Sequence, residues 1–101
     1  MHKYMHEGFE WDEAKSRLNR SKHRVDFATA CRIFDGPILE WSDDRYSYGE
    51  ARWLAIGRAG SATLVVAWTW RGGKRRLISA RKANRREQQI YEERISGFGP
   101  A

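Results

Sequence analysis

Leu64-Val65-Val66-Ala67-Trp68 is apolar at every position, so a strand built from it is apolar on both faces. A strand with one wet face alternates; one that does not alternate belongs in the middle of a sheet, covered on both sides. The flanking segments supply its neighbours. Ala59-Gly60-Ser61 separates Ala62–Trp70 from Ala51–Arg58, and Arg71-Gly72-Gly73-Lys74 separates it from Arg75–Ala80. Both connections have hairpin length and contain glycine, which reaches the left-handed conformations of tight turns. Ile38–Trp41 is a further β-type run. Ser42–Glu50 reads as a polar loop, its Asp43-Asp44 pair solvated because nothing nearby completes a metal site.

Around these strands the period becomes helical. Asp12 is a good N-cap, followed by Glu13 in a first turn where acids are favoured. Trp11, Ala14 and Leu18 then share one face, with Lys15, Arg17, Arg20 and Lys22 on the others, and Lys22-His23-Arg24 closes the helix. Asp26 caps a second helix, with Phe27, Ala30, Cys31 and Phe34 at i, i+3, i+4 and i+7. Val25 is placed to staple against Ala30, and Asp35-Gly36-Pro37 stops the run. Asn84 with Glu87 three residues on is a capping box for a third helix, through Ile90, Tyr91 and Ile95 to Gly97. The expected fold class is α+β: two N-terminal helices, a four-stranded antiparallel sheet and one C-terminal helix. A single domain over 1–101 is expected, ordered over 9–95. Met1–Gly8, with His2 and His6 solvated, and the tail from Ser96 are expected to fray.

The 101 residues are too few for two cores, and 41% are hydrophobic, five of them Trp, which suffices for one. No apolar run reaches the roughly 18 residues of a membrane span, and Met1–His6 lacks the apolar stretch of a signal peptide. The one cysteine, Cys31, lies on an apolar helical stripe and reads as core. A lone cysteine fits a reducing compartment, so a cytoplasmic location is expected. The formal net charge of +6 is unevenly placed. Residues 1–70 hold ten Lys/Arg and ten Asp/Glu, residues 71–101 nine against three, and Arg71–Arg86 eight bases with no acid. One-sided charge of this kind fits a polyanionic partner, since each cation near a phosphate releases condensed counterions.

That basic segment is structured. Strict alternation puts Arg76, Ile78 and Ala80 on one face of the last strand and Arg75, Leu77, Ser79 and Arg81 on the other. Arg81 and Lys82 fall at the strand–helix junction, and Arg85 and Arg86 in the helix's first turn. Cations there oppose the helix dipole by roughly 0.3–1 kcal/mol each, so stability alone would choose acids. Free amides and several Arg together make an anion site. Lys22 and His23 form a second basic group. They suit a helix C-terminus on dipole grounds, and equally a phosphate contact beside an imidazole, the side chain that titrates near neutral pH. Trp41, Trp53, Trp68 and Trp70 sit on strand-like segments; Trp70, bordering the Arg71-Gly72-Gly73 turn, is best placed for base stacking. Tyr91 follows Glu87 by one helical turn and is either packing or a proton donor. No GxxxxGK[ST], CxxC, HExxH or nucleophile-elbow motif occurs, so no metal or cofactor is expected.

Phe9-Glu10-Trp11-Asp12-Glu13-Ala14-Lys15, Asn19, Lys22-His23, Val25 and Phe27 resemble the opening of BrnT toxins. So do Arg52, Leu54, Ala55, Ile56 and Gly57 in mid-chain. Thr69, Arg71-Gly72, Ile78-Ser79-Ala80-Arg81-Lys82-Ala83, Arg85-Arg86-Glu87 and Tyr91 extend the resemblance over roughly residues 9–93. It implies a RelE-like fold, ribosome-independent cleavage of RNA that blocks translation, and neutralisation by a ribbon-helix-helix antitoxin. Operator DNA would be bound only through the antitoxin complex. The family's pattern falls on Lys22, His23, Arg52, Arg76, Arg81 and Tyr91 as candidate catalytic residues. Trp70, Arg71, Lys74, Lys82, Arg85 and Arg86 are candidate RNA contacts. Cleavage without a metal needs the 2′-hydroxyl deprotonated, the pentacoordinate phosphate stabilised and the 5′-oxygen protonated. Arg suits the second task; His23, Lys22 or Tyr91 suit the proton transfers. A non-enzymatic nucleic-acid-binding module and a basic module that docks an acidic protein use the same residues.

Overall fold

The computed structural model describes the backbone of residues 3–6, and residues 8–45 and 49–96 in full. The chain runs β1 (Lys3–His6), β2 (Phe9–Asp12), α1 (Glu13–His23) and α2 (Phe27–Ala30), which tightens into a 3₁₀ turn over Cys31–Asp35. Then come β3 (Leu39–Ser42), β4 (Trp53–Ala59), β5 (Ala62–Arg71), β6 (Lys74–Lys82) and α3 (Arg85–Ser96). The expectations for His2, the side chain of His6 and the tail beyond Ser96 lie outside the described residues.

Among the described residues six strands form one sheet, in the order β1-β2-β6-β5-β4-β3. The expected four-stranded antiparallel sheet is thus too small and too regular. β3 to β6 are antiparallel neighbours, but two strands precede the helices, and β2 runs parallel to β6. The parallel contact is two residues long, Phe9 opposite Arg75 and Glu10 opposite Arg76. Parallel neighbours need a long crossover, here everything from α1 to β5, so no local pattern announces the pair. The central strand is as expected: β5 is buried from Leu64 to Thr69. The β5–β6 turn is a two-residue hairpin with Gly72 and Gly73 both left-handed (φ 59° and 79°), the geometry that matches strand twist.

Each face of the sheet has its own core. On one, α1 and α2 bring Val25, Phe27, Ala30, Cys31 and Ile33 against Ala55, Leu64, Val66, Trp68, Leu77 and Ala80. Gly57 lets the 3₁₀ turn approach, since a Cβ there would lie 2.8 Å from that of Ile33. On the other face, α3 packs Tyr91 and Ile95 against Ile56, Val65 and Ala83. The three caps are as the sequence indicates. Asp12 accepts from the amides of Ala14 and Lys15, Asp26 from Thr29, and Asn84 and Glu87 bond each other's amides at 2.9 and 2.8 Å.

Two expectations fail for physical reasons. The inward face of α1 is Ser16 and Asn19, while Ala14 is exposed and Leu18 is 69% exposed. α1 lies along the edge of β6, so it supplies hydrogen bonds in place of apolar bulk. Asn19 donates to the carbonyls of Ala80 and Val25, both at 2.7 Å, and accepts from the Ala80 amide at 3.2 Å. Ser16 accepts from the Phe27 amide. Asn19 thereby satisfies both backbone groups of Ala80, on the side of β6 beyond its contact with β2. Strict alternation along β6 also fails. The register shifts between Ala67 and Trp68, which face Ser79 and Leu77, leaving Ile78 as an extra residue. This bulge places Arg76, Ser79 and Arg81 on one face, opposite Thr69, Ala67 and Val65, and turns Leu77 and Ala80 to the other.

Candidate functional site

The re-phased row of β6 meets the end of α1 at a cavity of about 60 Å³, lined by His23, Arg45, Leu54, Val65, Ala67, Ser79, Ala80 and Arg81. Three segments build it. Asn19 ties α1 to β6 one turn before His23, which is half-buried. The helix stops there because Arg24 takes a left-handed conformation (φ 63°) and returns its amide to the Arg20 carbonyl at 2.8 Å. From β6 come Ser79 and Arg81. The third segment is the loop after β3. Asp43, expected to be solvated, is instead buried: its amide bonds the Arg52 carbonyl and its carboxylate grips Arg45 Nε and Nη2 at 2.8 and 3.0 Å. Asp44 stays exposed and accepts from Ser42 Oγ. Arg45 is thereby aimed at the cavity, and its charge is felt at Arg81.

Arg81 is held bidentately by Glu87, Nη1 to Oε1 at 2.7 Å and Nη2 to Oε2 at 2.8 Å. The same carboxylate caps α3 through the Asn84 amide. The Arg81 hydrogen bonds hold the Glu87 carboxyl below the usual carboxylate range, and Glu87 in turn raises Arg81. Glu87 is therefore a fixed anion that orients a fixed cation. Arg81 retains donors beyond the two that Glu87 uses, because a guanidinium has five.

A wider groove shares His23 and Ser79 with the cavity and adds Lys15, Leu18, Asn19, Lys22 and Ile78. Of the expected catalytic residues, the fold thus brings together His23, Arg81 and, next to them, Lys22. The others sit elsewhere. Arg76 is buried in an ion pair with Glu10 at 3.0 Å, across the β2–β6 junction. Arg52 Nε and Arg71 Nη2 both bond Glu50, at 3.2 and 3.3 Å. Tyr91 is buried under α3 and donates its hydroxyl to the Pro37 carbonyl at 2.7 Å; burial pushes the phenol above its ordinary value, with Arg58 opposing. Lys82, Arg85 and Arg86 are exposed around the start of α3, and Lys74 is half-buried at the β5–β6 turn. Trp70 is 51% exposed, as its position implies, and Trp41 is exposed too, at 42%.

Two residues escape sequence reasoning. Arg45 sits in what reads as a polar loop; Asp43 two positions earlier is its only local signal. Arg75 carries its guanidinium over Phe34, Trp68 and Trp70, 4.6, 4.7 and 5.1 Å from the ring centroids. Trp68 stacks on Trp53 at 5.0 Å, completing a cation–aromatic cluster on the α1–α2 face. Cys31 is buried, and burial pushes its thiol up, away from nucleophilic duty. Among the described residues no three His, Cys, Asp or Glu lie together as metal ligands, and no helix is long and apolar enough to cross a membrane.

No curated protein is similar enough to the chain to match it. A family match does exist, and it runs from Trp11 at the end of β2 to Glu87, so it spans the whole cavity and its Arg81–Glu87 pair. Residues 11–87 match the model for the ribonuclease toxin BrnT of type II toxin–antitoxin systems, and the chain belongs to that family.

Proposed function

We propose that this toxin is an endoribonuclease that cleaves RNA without a metal ion, with the scissile phosphate seated at the His23–Arg45–Arg81 cavity. The observation that carries the reading is the convergence of an imidazole and two arginines, from three distant segments, on one small recess walled otherwise by Leu54, Val65, Ala67, Ser79 and Ala80. In the reaction the 2′-oxygen loses its proton and bonds to phosphorus, the bond to the 5′-oxygen breaks, and that oxygen takes up a proton. Arg45 and Arg81 face the extra negative charge of the pentacoordinate phosphate, a role that fixed, always-charged donors perform well. His23 exchanges the protons, with Lys22 beside it at the groove. Glu87 positions Arg81. Tyr91 and Arg76 are assigned to packing, because each is itself buried and committed, Tyr91 to the Pro37 carbonyl and Arg76 to Glu10. Trp70, Arg71, Lys74, Lys82, Arg85 and Arg86 belong to the basic rim that guides RNA in.

The family pairs its toxins with antitoxins; the resemblance in ordered landmarks from Phe9 to Tyr91 supports a ribbon-helix-helix antitoxin, operator DNA contacted through it, and action on translation in the cytoplasm. The test is incubation of purified toxin with RNA in EDTA. Cleavage is expected, with Arg81→Ala lowering kcat by roughly 10²–10³ and His23→Gln removing one limb of the pH–rate profile. Intact RNA with tight, salt-sensitive binding would instead identify a non-enzymatic binding module. No RNA affinity at low salt would identify a module that docks an acidic protein.

A further inference from the structure

The groove beside the cavity is built in a way that stability does not require. Leu18 is the largest apolar side chain of α1, yet it faces water at 69% exposure while Ser16 and Asn19 take the inward positions. Opposite it lies Ile78, the residue that the β6 bulge turns out of the ladder, and it is half-exposed. Lys15 and Lys22 stand three residues before and four after Leu18, on the same helix face and about 10 Å apart along the axis. Both are exposed, and neither is in an ion pair among the described residues. The recess, about 220 Å³, adjoins the cavity and shares His23 and Ser79 with it.

An apolar floor between two cations, beside the proposed phosphate site, matches one nucleotide of a polyanion. We propose that this groove is the subsite for the nucleotide next to the scissile phosphate, with its base against Leu18 and Ile78, its outer phosphate at Lys15, and Lys22 on the side of the scissile phosphate. The proposal rests on the ribonuclease reading. It also says what the subsite does not do. The Asn19 amide is spent on the Val25 and Ala80 backbone, so besides Lys15 and Lys22 the polar side chains left at the recess are His23 and Ser79, on the side it shares with the cavity. Against Leu18 and Ile78 the groove contributes affinity with little preference among bases.

The test compares short and long RNA, about four and about 16 nucleotides. Leu18→Ala should raise KM roughly fivefold for both RNAs, since each fills the position next to the scissile phosphate, with kcat unchanged whichever base is varied in the flank. For binding, the probe is a 2′-O-methyl RNA of about 16 nucleotides, which lacks the attacking hydroxyl. Lys15→Ala should lower its log–log salt slope by about 0.7, the value for one single-strand phosphate contact, and Leu18→Ala should leave the slope alone. Both side chains are exposed, so unchanged melting temperatures serve as the folding control. An active parent whose two variants match it on long RNA overturns the proposal. So does loss of antitoxin affinity with RNA binding intact. A parent that cleaves neither RNA overturns the ribonuclease reading, while the 2′-O-methyl RNA still decides the groove.

Discussion

Arg76 and Arg81 lie on the same face of β6, yet one guanidinium is closed inside the sheet against Glu10 and the other opens onto a cavity with Glu87 behind it. Burial decides the difference in energy. Removing one partner of a buried pair leaves an uncompensated charge, at roughly 3–5 kcal/mol, whereas replacing both with apolar residues is often neutral. Glu10→Gln should therefore lower stability by about 3 kcal/mol in urea unfolding, and Glu10→Met with Arg76→Leu should recover most of it. The doubly substituted toxin is expected to remain active; a stable but inactive protein would return Arg76 to the chemistry. At this scale the sequence shows Lys22 and His23 at a helix end and Arg81 near a strand end, because those positions are local facts. It does not reveal Arg45, whose direction depends on the burial of Asp43, or the confinement of Arg76, whose partner is far away in the chain.

The helix α3 and the strand β6 are joined by one carboxylate, since Glu87 both caps the helix and fixes Arg81. Its carboxyl is held low chiefly by the Arg81 hydrogen bonds, against some desolvation, with help from the Asn84 amide. A lowered folded-state value means that the unfolded chain takes up the proton first. The stabilisation is thus complete above the ordinary carboxylate value of about 4.3 and is lost as pH falls through the lower folded value. Glu87→Gln should cost about 1 kcal/mol at neutral pH, a modest figure because Arg81 is partly solvated. Its melting temperature should also fall less steeply than the parent's between about pH 4 and pH 2; parallel curves would contradict the assignment. Helix starts are legible because a cap and its amide lie within three residues. β2 is not, since a four-residue strand, paired with β1 over its length and with β6 over two positions, is too short to carry a period. Nor is the bulge, which is settled by packing Leu77 and Ala80 on the same side.

The whole molecule is organised around β6. It lies between β2 and β5, and it carries residues of both the core and the cavity. Contacts such as Glu10 with Arg76 span 66 positions, so much of the closure entropy is paid before those contacts form. A chain ended after Gly73 would lose one neighbour of β2, one neighbour of β5 and all of α3. It should show no cooperative melting by circular dichroism, and a sharp transition would contradict the central place given to β6. The central strand β5 and the separation of basic charge into the last third are readable from composition and pattern; the way the first strands wait for a late one is not.

That waiting has a consequence for how the toxin is made. Synthesis proceeds at about 5–20 residues per second, and His23 and Arg45 are in place in the chain well before Arg81. Until β6 is made and inserts, the recess lined by Ser79 and Arg81 does not exist, so on the proposed reading the nascent chain cannot cleave RNA. On that reading the delay between emergence and insertion is the interval in which an antitoxin meets a chain still unarmed.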